Sequence, residues 1–129
     1  MNNKKLTLKQ KDKLILDIIN YLQQKDLFFM IDIYYNNKRI SSDEPITKHT
    51  NETCEEKSTK QGPYYITENV GCPCEYSNPK TITMTFEGPL YNALNYGSGR
   101  IENELQEIFK KYDLYFEMGY AWSLTAYQN

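Results

Sequence analysis

KTITMTF, residues 80–86, is the stretch on which the fold turns. Ile82, Met84 and Phe86 share one side and Thr81, Thr83 and Thr85 the other, because successive side chains of a strand alternate between faces. A strand with one apolar and one polar side belongs to a sheet covered on one face only. Glu87-Gly88-Pro89 stops it. Pro89 suits the first position of a helix, where a missing N–H is harmless. Leu90, Tyr91, Ala93 and Leu94 then give one or two amphipathic turns, and YGSG at residues 96–99 ends them.

Downstream, the spacing predicts a helix from about Arg100 to Tyr112. Ile101, Leu105, Ile108 and Phe109 lie inward; Glu102, Glu104, Glu107, Lys110 and Lys111 lie outward. The final β segment, YFEMGYAWSLTAY at residues 115–127, is interrupted by Gly119, which marks a bulge or tight bend. Upstream, Thr7 and Gln10 form a capping-box pair at the start of an N-terminal helix. Leu8, Leu14, Ile15, Ile18, Ile19, Tyr21 and Leu22 make its apolar face; Lys9, Lys11, Lys13, Asp12 and Asp17 its solvent face. It should end near Lys25. FFMIDIYY, residues 28–35, alternates as a strand, with Phe29, Ile31 and Ile33 on one side. Asn36-Asn37 suits a type I′ turn, because Asn tolerates positive φ, and residues 38–41 return antiparallel. Tyr64 to Val70 reads as a further strand. Residues 42–62 are polar, contain Pro45 and read as a long loop.

The expectation is an α+β fold in a single domain over residues 1–129. It has a single antiparallel or mixed sheet of four to six strands. The N-terminal helix and a helix of the C-terminal half pack on one face. A chain of 129 residues is long enough to bury a core without staples. No apolar run approaches the roughly 18 residues of a membrane helix. The basic start, MNNKKLTLKQKDK, is followed by no apolar signal core, so a cytoplasmic protein with reduced thiols is expected.

The net charge of −2 is uneven. Residues 1–30 hold six Lys and three Asp, a balance of +3, which leaves −5 for the rest. Nucleic acid needs a broad basic face, and only the first helix has the residues for one, so nucleic acid is not an expected partner. Lys outnumbers Arg thirteen to two, and Asn, Ile and Tyr are abundant. Those residues have AT-rich codons, which points to a low-GC bacterium or a phage or plasmid living in one.

His49, Cys54, Cys72 and Cys74 make the pattern H-x4-C-x17-C-x-C, which holds every Cys and His of the chain. Thiolate and imidazole are zinc ligands, and four of them close a structural site. The C-x-C spacing is not the usual knuckle, and the same residues read more simply as ordinary thiols and a solvated loop histidine, with a strained Cys72–Cys74 disulfide as a third reading. The turn from Gly97 to Arg100 offers helix N-terminal N–H groups and a guanidinium to an anion, although Glu102 and Glu104 already answer the helix dipole. Asp32, Glu68, Glu75, Glu87 and Glu117 lie in or beside strands without the spacing of a catalytic pair, and no nucleophile motif is present. Tyr115, Tyr120, Trp122 and Tyr127 are the candidate partner-binding residues, since Tyr and Trp dominate contact energies at protein interfaces.

These features favour a non-enzymatic protein that binds a protein partner, for example an accessory or anti-defence protein of a phage or mobile element. A zinc-stabilised module built on His49, Cys54, Cys72 and Cys74 is the alternative. A small ligand-binding or enzymatic domain using the Gly97–Arg100 turn is the second. Apart from a structural zinc, no cofactor is expected.

Overall fold

The computed structural model of the protein describes residues 6–44, 54–70 and 81–129. Helix α1 (Leu8–Gln24) begins at the capping pair. The Gln10 N–H donates to Thr7 Oγ1 at 3.1 Å, and the Thr7 N–H donates to Gln10 Oε1 at 2.9 Å. Two donors that the first helical turn cannot satisfy are thereby paired. Then follow strands β1 (Ile31–Tyr35), β2 (Lys38–Ser41), β3 (Cys54–Thr59), β4 (Gly62–Glu68) and β5 (Thr83–Phe86). Helices α2 (Pro89–Tyr96) and α3 (Arg100–Lys110) and strands β6 (Leu114–Met118) and β7 (Ser123–Gln128) complete the described chain. No helix of the described residues is long and apolar enough to cross a membrane.

The strands form one sheet in the order β3-β4-β2-β1-β5-β7-β6, antiparallel at every pairing. Seven strands exceed the expected four to six. Part of the excess is β3, which lies inside the polar stretch read as a loop. Its residues, CEEKST, are exposed on both sides apart from the half-buried Thr59, so no apolar alternation announces it. The rest is the C-terminal segment, which folds as a hairpin rather than one bent strand. Its turn is held by Gly119 N–H to Ser123 O and Ser123 N–H to Tyr120 O, both at 3.1 Å. At the β1–β2 turn Asn36 and Asn37 both have positive φ, 49° and 60°, as a type I′ turn requires.

Directly paired residues share a face. One row runs Ile66–Ile40–Ile33–Met84–Leu124–Met118 across β4, β2, β1, β5, β7 and β6. It joins Leu14, Ile15, Ile18, Ile19 and Leu22 of α1, Leu90 of α2, and Leu105, Ile108 and Phe109 of α3 in one core. One residue along, the row Thr67–Arg39–Tyr34–Thr83–Thr125–Glu117 lies on the opposite face, open in that no helix of the described residues covers it.

Tyrosine hydroxyls tie the helices to this frame. Tyr35 donates to Asp12 Oδ1 at 2.7 Å, Tyr21 to Glu104 Oε1 at 2.7 Å and Tyr112 to Asp17 Oδ2 at 2.5 Å. Gln23 bonds Thr59 and Gly62, so the tip of the β3–β4 hairpin is fastened to the end of α1. On the far edge Gln106 of α3 bonds the Phe116 backbone twice. Its amide donates to Phe116 O at 2.9 Å, and its carbonyl accepts from Phe116 N–H at 3.1 Å.

Some expected positions are corrected. Lys11, read as a solvent-face residue, is buried, and its Nζ reaches Asn36 Oδ1 at 3.2 Å. Asp12 and Asp17 are tyrosine acceptors rather than free surface charges. Leu8, placed on the apolar face, is exposed. Phe29, expected beside Ile31 and Ile33, is exposed, while Phe28 is buried. The reason is Met30, whose φ of 58° breaks the alternation before β1 begins.

Candidate functional site

The start of β1, the end of β5 and the turn between β6 and β7 meet at one corner of the sheet. Backbone bonds join them: Phe86 N–H donates to Trp122 O at 2.9 Å, and Glu87 N–H to Met30 O at 3.0 Å. Asp43 accepts from Met30 N–H at 3.0 Å and from the Ser42 hydroxyl at 3.2 Å. Met30 is thus held on both sides in a left-handed conformation that a methionine rarely adopts. Gly88 permits this. Its own φ is 70°, and a Cβ there would stand 3.4 Å from Met30 Sδ. Strain of this kind persists only where surrounding contacts enforce it.

The corner displays large apolar side chains to solvent. Phe29 is 50% exposed and Met30 54%. Tyr120 and Trp122 are 38% and 40% exposed and stack with centroids 4.8 Å apart and planes 8° apart. The turn that carries them is fixed by hydrogen bonds, including Tyr120 N–H to Ser123 Oγ at 3.0 Å. Beside them lies a cleft of about 500 Å³. Met30 and Trp122 give it apolar walls; Asp32, Asp43 and Glu87 give it carboxylates. Asp32 accepts from the Ser41 hydroxyl at 2.6 Å. The Tyr34 phenol in the same cleft is held above its ordinary pKa by burial and then by the Asp32 charge, with hydrogen bonds to Thr85 and Arg39 opposing. On the same face the Tyr65 phenol is pushed up by desolvation and by Glu56, Glu44 and Asp43. Negative charge therefore gathers on this half of the open face.

The four candidate partner-binding residues fall into two pairs rather than one strip. Tyr120 and Trp122 belong to the corner. Tyr115 and Tyr127 face each other across β6 and β7, with ring centroids 5.8 Å apart, at the other end of the hairpin. Phe29, Met30, Asp32, Asp43 and Glu87 complete the corner and come from segments distant in sequence. No spacing rule links them; the unusual conformation at Met30 is visible only in the structure.

Of the candidate metal ligands, Cys54 opens β3, is exposed and pairs with Thr67. His49, Cys72 and Cys74 lie outside the described residues. No group of three or more His, Cys, Asp or Glu is arranged to hold a metal among the described residues. At the Gly97–Arg100 turn, Gly99 caps α3 with a φ of 89°. Arg100 reaches along the helix, its Nε 3.6 Å from Glu104 Oε2, instead of converging on the helix start. Glu104 is held below the usual carboxylate range by the Tyr21 hydroxyl first, then by Lys25 and Arg100. Gly97 is needed for space: a Cβ there would fall 2.3 Å from the Ala93 carbonyl oxygen. Of the strand carboxylates, Glu68 lies 4.0 Å from Lys38, and Glu117 stands across β6–β7 from Thr125.

Comparison with protein-family models, curated proteins and solved structures finds no match to this chain.

Proposed function

We propose that the protein is a non-enzymatic binding protein whose partner, another protein, docks on the corner around Trp122. The observation that carries this reading is the exposed Tyr120–Trp122 stack at a cleft that Met30 also lines. Aromatic side chains held rigidly lose little conformational entropy on binding and remove much apolar surface from water. Backbone and side-chain bonds of the β6–β7 turn, including Tyr120 N–H to Ser123 Oγ, set their positions. The AT-rich residue usage fits an accessory or anti-defence protein of a phage or mobile element. The test is quantitative partner capture from a low-GC bacterial host with wild type and the Tyr120→Ala/Trp122→Ala double variant. A partner captured by the wild type should be lost or strongly depleted with the variant, while the circular dichroism spectra agree. Equal capture by a folded variant would remove the corner from the proposal.

A second reading, a structural zinc site, is favoured by one observation. Cys54 pairs with Thr67 near the end of β4. His49 precedes Cys54 by five residues, and Cys72 follows Thr67 by five. The chain therefore arrives from His49 and departs toward Cys72 at the same end of one ladder. One equivalent of zinc in protein purified without a metal-affinity step, and a several-degree loss of Tm on chelation, is the expected result. No metal and no shift would end this reading.

A further inference from the structure

We infer that the cleft beside Trp122 receives an arginine side chain from a basic segment of the partner. This deepens the docking reading above and rests on it. The cleft combines three features that a guanidinium uses together. Asp32, Asp43 and Glu87 supply three carboxylates, against which Arg39, hydrogen-bonded to the Tyr34 phenol, sets one positive charge. Trp122 supplies an aromatic wall, and a guanidinium stacks on such a surface better than an ammonium does. The volume of about 500 Å³ admits a long side chain.

The carboxylates are also oriented in advance. Asp32 takes the Ser41 hydroxyl on Oδ1, and Asp43 takes Met30 N–H and the Ser42 hydroxyl on Oδ2. Each internal bond fixes one carboxylate oxygen and leaves the geometry of the second defined. A planar fork of five donors can span carboxylates that stand apart. A bare metal ion cannot, and the described residues hold no cluster close enough to chelate one. Charge favours the same occupant on a larger scale. The chain beyond residue 30 carries −5, and Glu44 and Glu56 add to the potential around Tyr65 on this face. Such charge favours a basic partner over an acidic one.

Trp122 is the only tryptophan, so its fluorescence reports occupancy directly. The full chain is titrated with the blocked tripeptide Gly-Arg-Gly and with matched peptides carrying lysine, citrulline or norleucine at the centre. The expected result is a saturable change for the arginine peptide, weaker for lysine and absent for citrulline. Salt should weaken it. Glu87→Gln, which alters an exposed side chain, should weaken it several-fold with an unchanged circular dichroism spectrum. An equal response to citrulline, or no loss in Glu87→Gln, would overturn the inference. If norleucine binds as well as arginine, the cationic occupant is wrong while the docking corner stands. If no peptide gives a saturable response, the arginine pocket is excluded, and the double-variant capture experiment decides the docking reading separately.

Discussion

Two rows of side chains cross the same strands one residue apart, and they are opposite in chemistry. Ile40, Ile33, Met84 and Leu124 pass beneath the helices; Arg39, Tyr34, Thr83 and Thr125 cross the open face. Both rows contain deeply buried members, for Thr67, Thr83 and Thr125 are as hidden from solvent as the isoleucines. The helix-covered row gains stability from apolar area removed from water. On the other face most buried hydroxyls find a partner within the sheet, as Thr83 does opposite Thr125 and Ser41 does with Asp32, while Thr67 does not. Burial therefore identifies the interior of this protein but not its hydrophobic core. The exposed aromatic corner stands at the end of this polar face.

The sharpest way to break this comparison is to truncate neighbours on opposite faces. Met84→Ala should destabilise by about 2–5 kcal/mol, as large-to-small changes in a core do. Thr83→Ala should cost about 1 kcal/mol, the usual worth of one hydrogen bond. Urea denaturation measures both, and equal losses would make the two faces energetically alike.

Alkaline pH probes the helix-covered side. Tyr21, Tyr35 and Tyr112 each donate to a carboxylate, and burial together with that partner raises each phenol, Tyr112 to about 12. A phenol whose folded pKa lies above its unfolded value contributes stability that is full below the unfolded value, near 10, and is lost as pH rises through the folded one. Stability should therefore fall between about pH 10 and 12. Tyr112→Phe should cost about 1 kcal/mol at neutral pH and make that fall shallower in pH-dependent denaturation.

The open face has one flaw that can be repaired. Thr67 Oγ1 is buried without a hydrogen-bond partner. Thr67→Val keeps the shape and removes the stranded hydroxyl, so it should raise stability by about 1 kcal/mol in the same assay. A loss instead would show that the hydroxyl has a bonded role. The smallest effect belongs to the corner itself. Trp122→Ala should change stability by no more than about 0.5 kcal/mol, because the side chain is outside the core.

The parts of the fold that could be read from sequence are those where one physical signal acts alone. KTITMTF alternates because β5 is covered on one side; Thr7 and Gln10 cap α1 locally; Asn36 and Asn37 tolerate the left-handed turn. Strand β3 escaped because an edge strand exposed on both faces has no hydrophobic period. Lys11 escaped because its burial depends on Asn36, which only tertiary structure brings near. Half the corner was legible: Tyr120 and Trp122 stand out by residue type, whereas Met30, Asp43 and Glu87 gain meaning from backbone bonds between distant segments.

The double bond from Gln106 to Phe116 bears on how the molecule behaves when crowded. Edge strands are templates for adding further strands from other copies. At β6 the place of such a strand is taken by the side chain of Gln106, while among the described residues no comparable clamp closes β3. Fibril growth needs two growing ends on every unit. Gln106 takes up the N–H and C=O of one β6 residue, so a strand added at that edge must displace it. Strand addition at β6 therefore has to break two bonds first, a barrier written into one amide side chain.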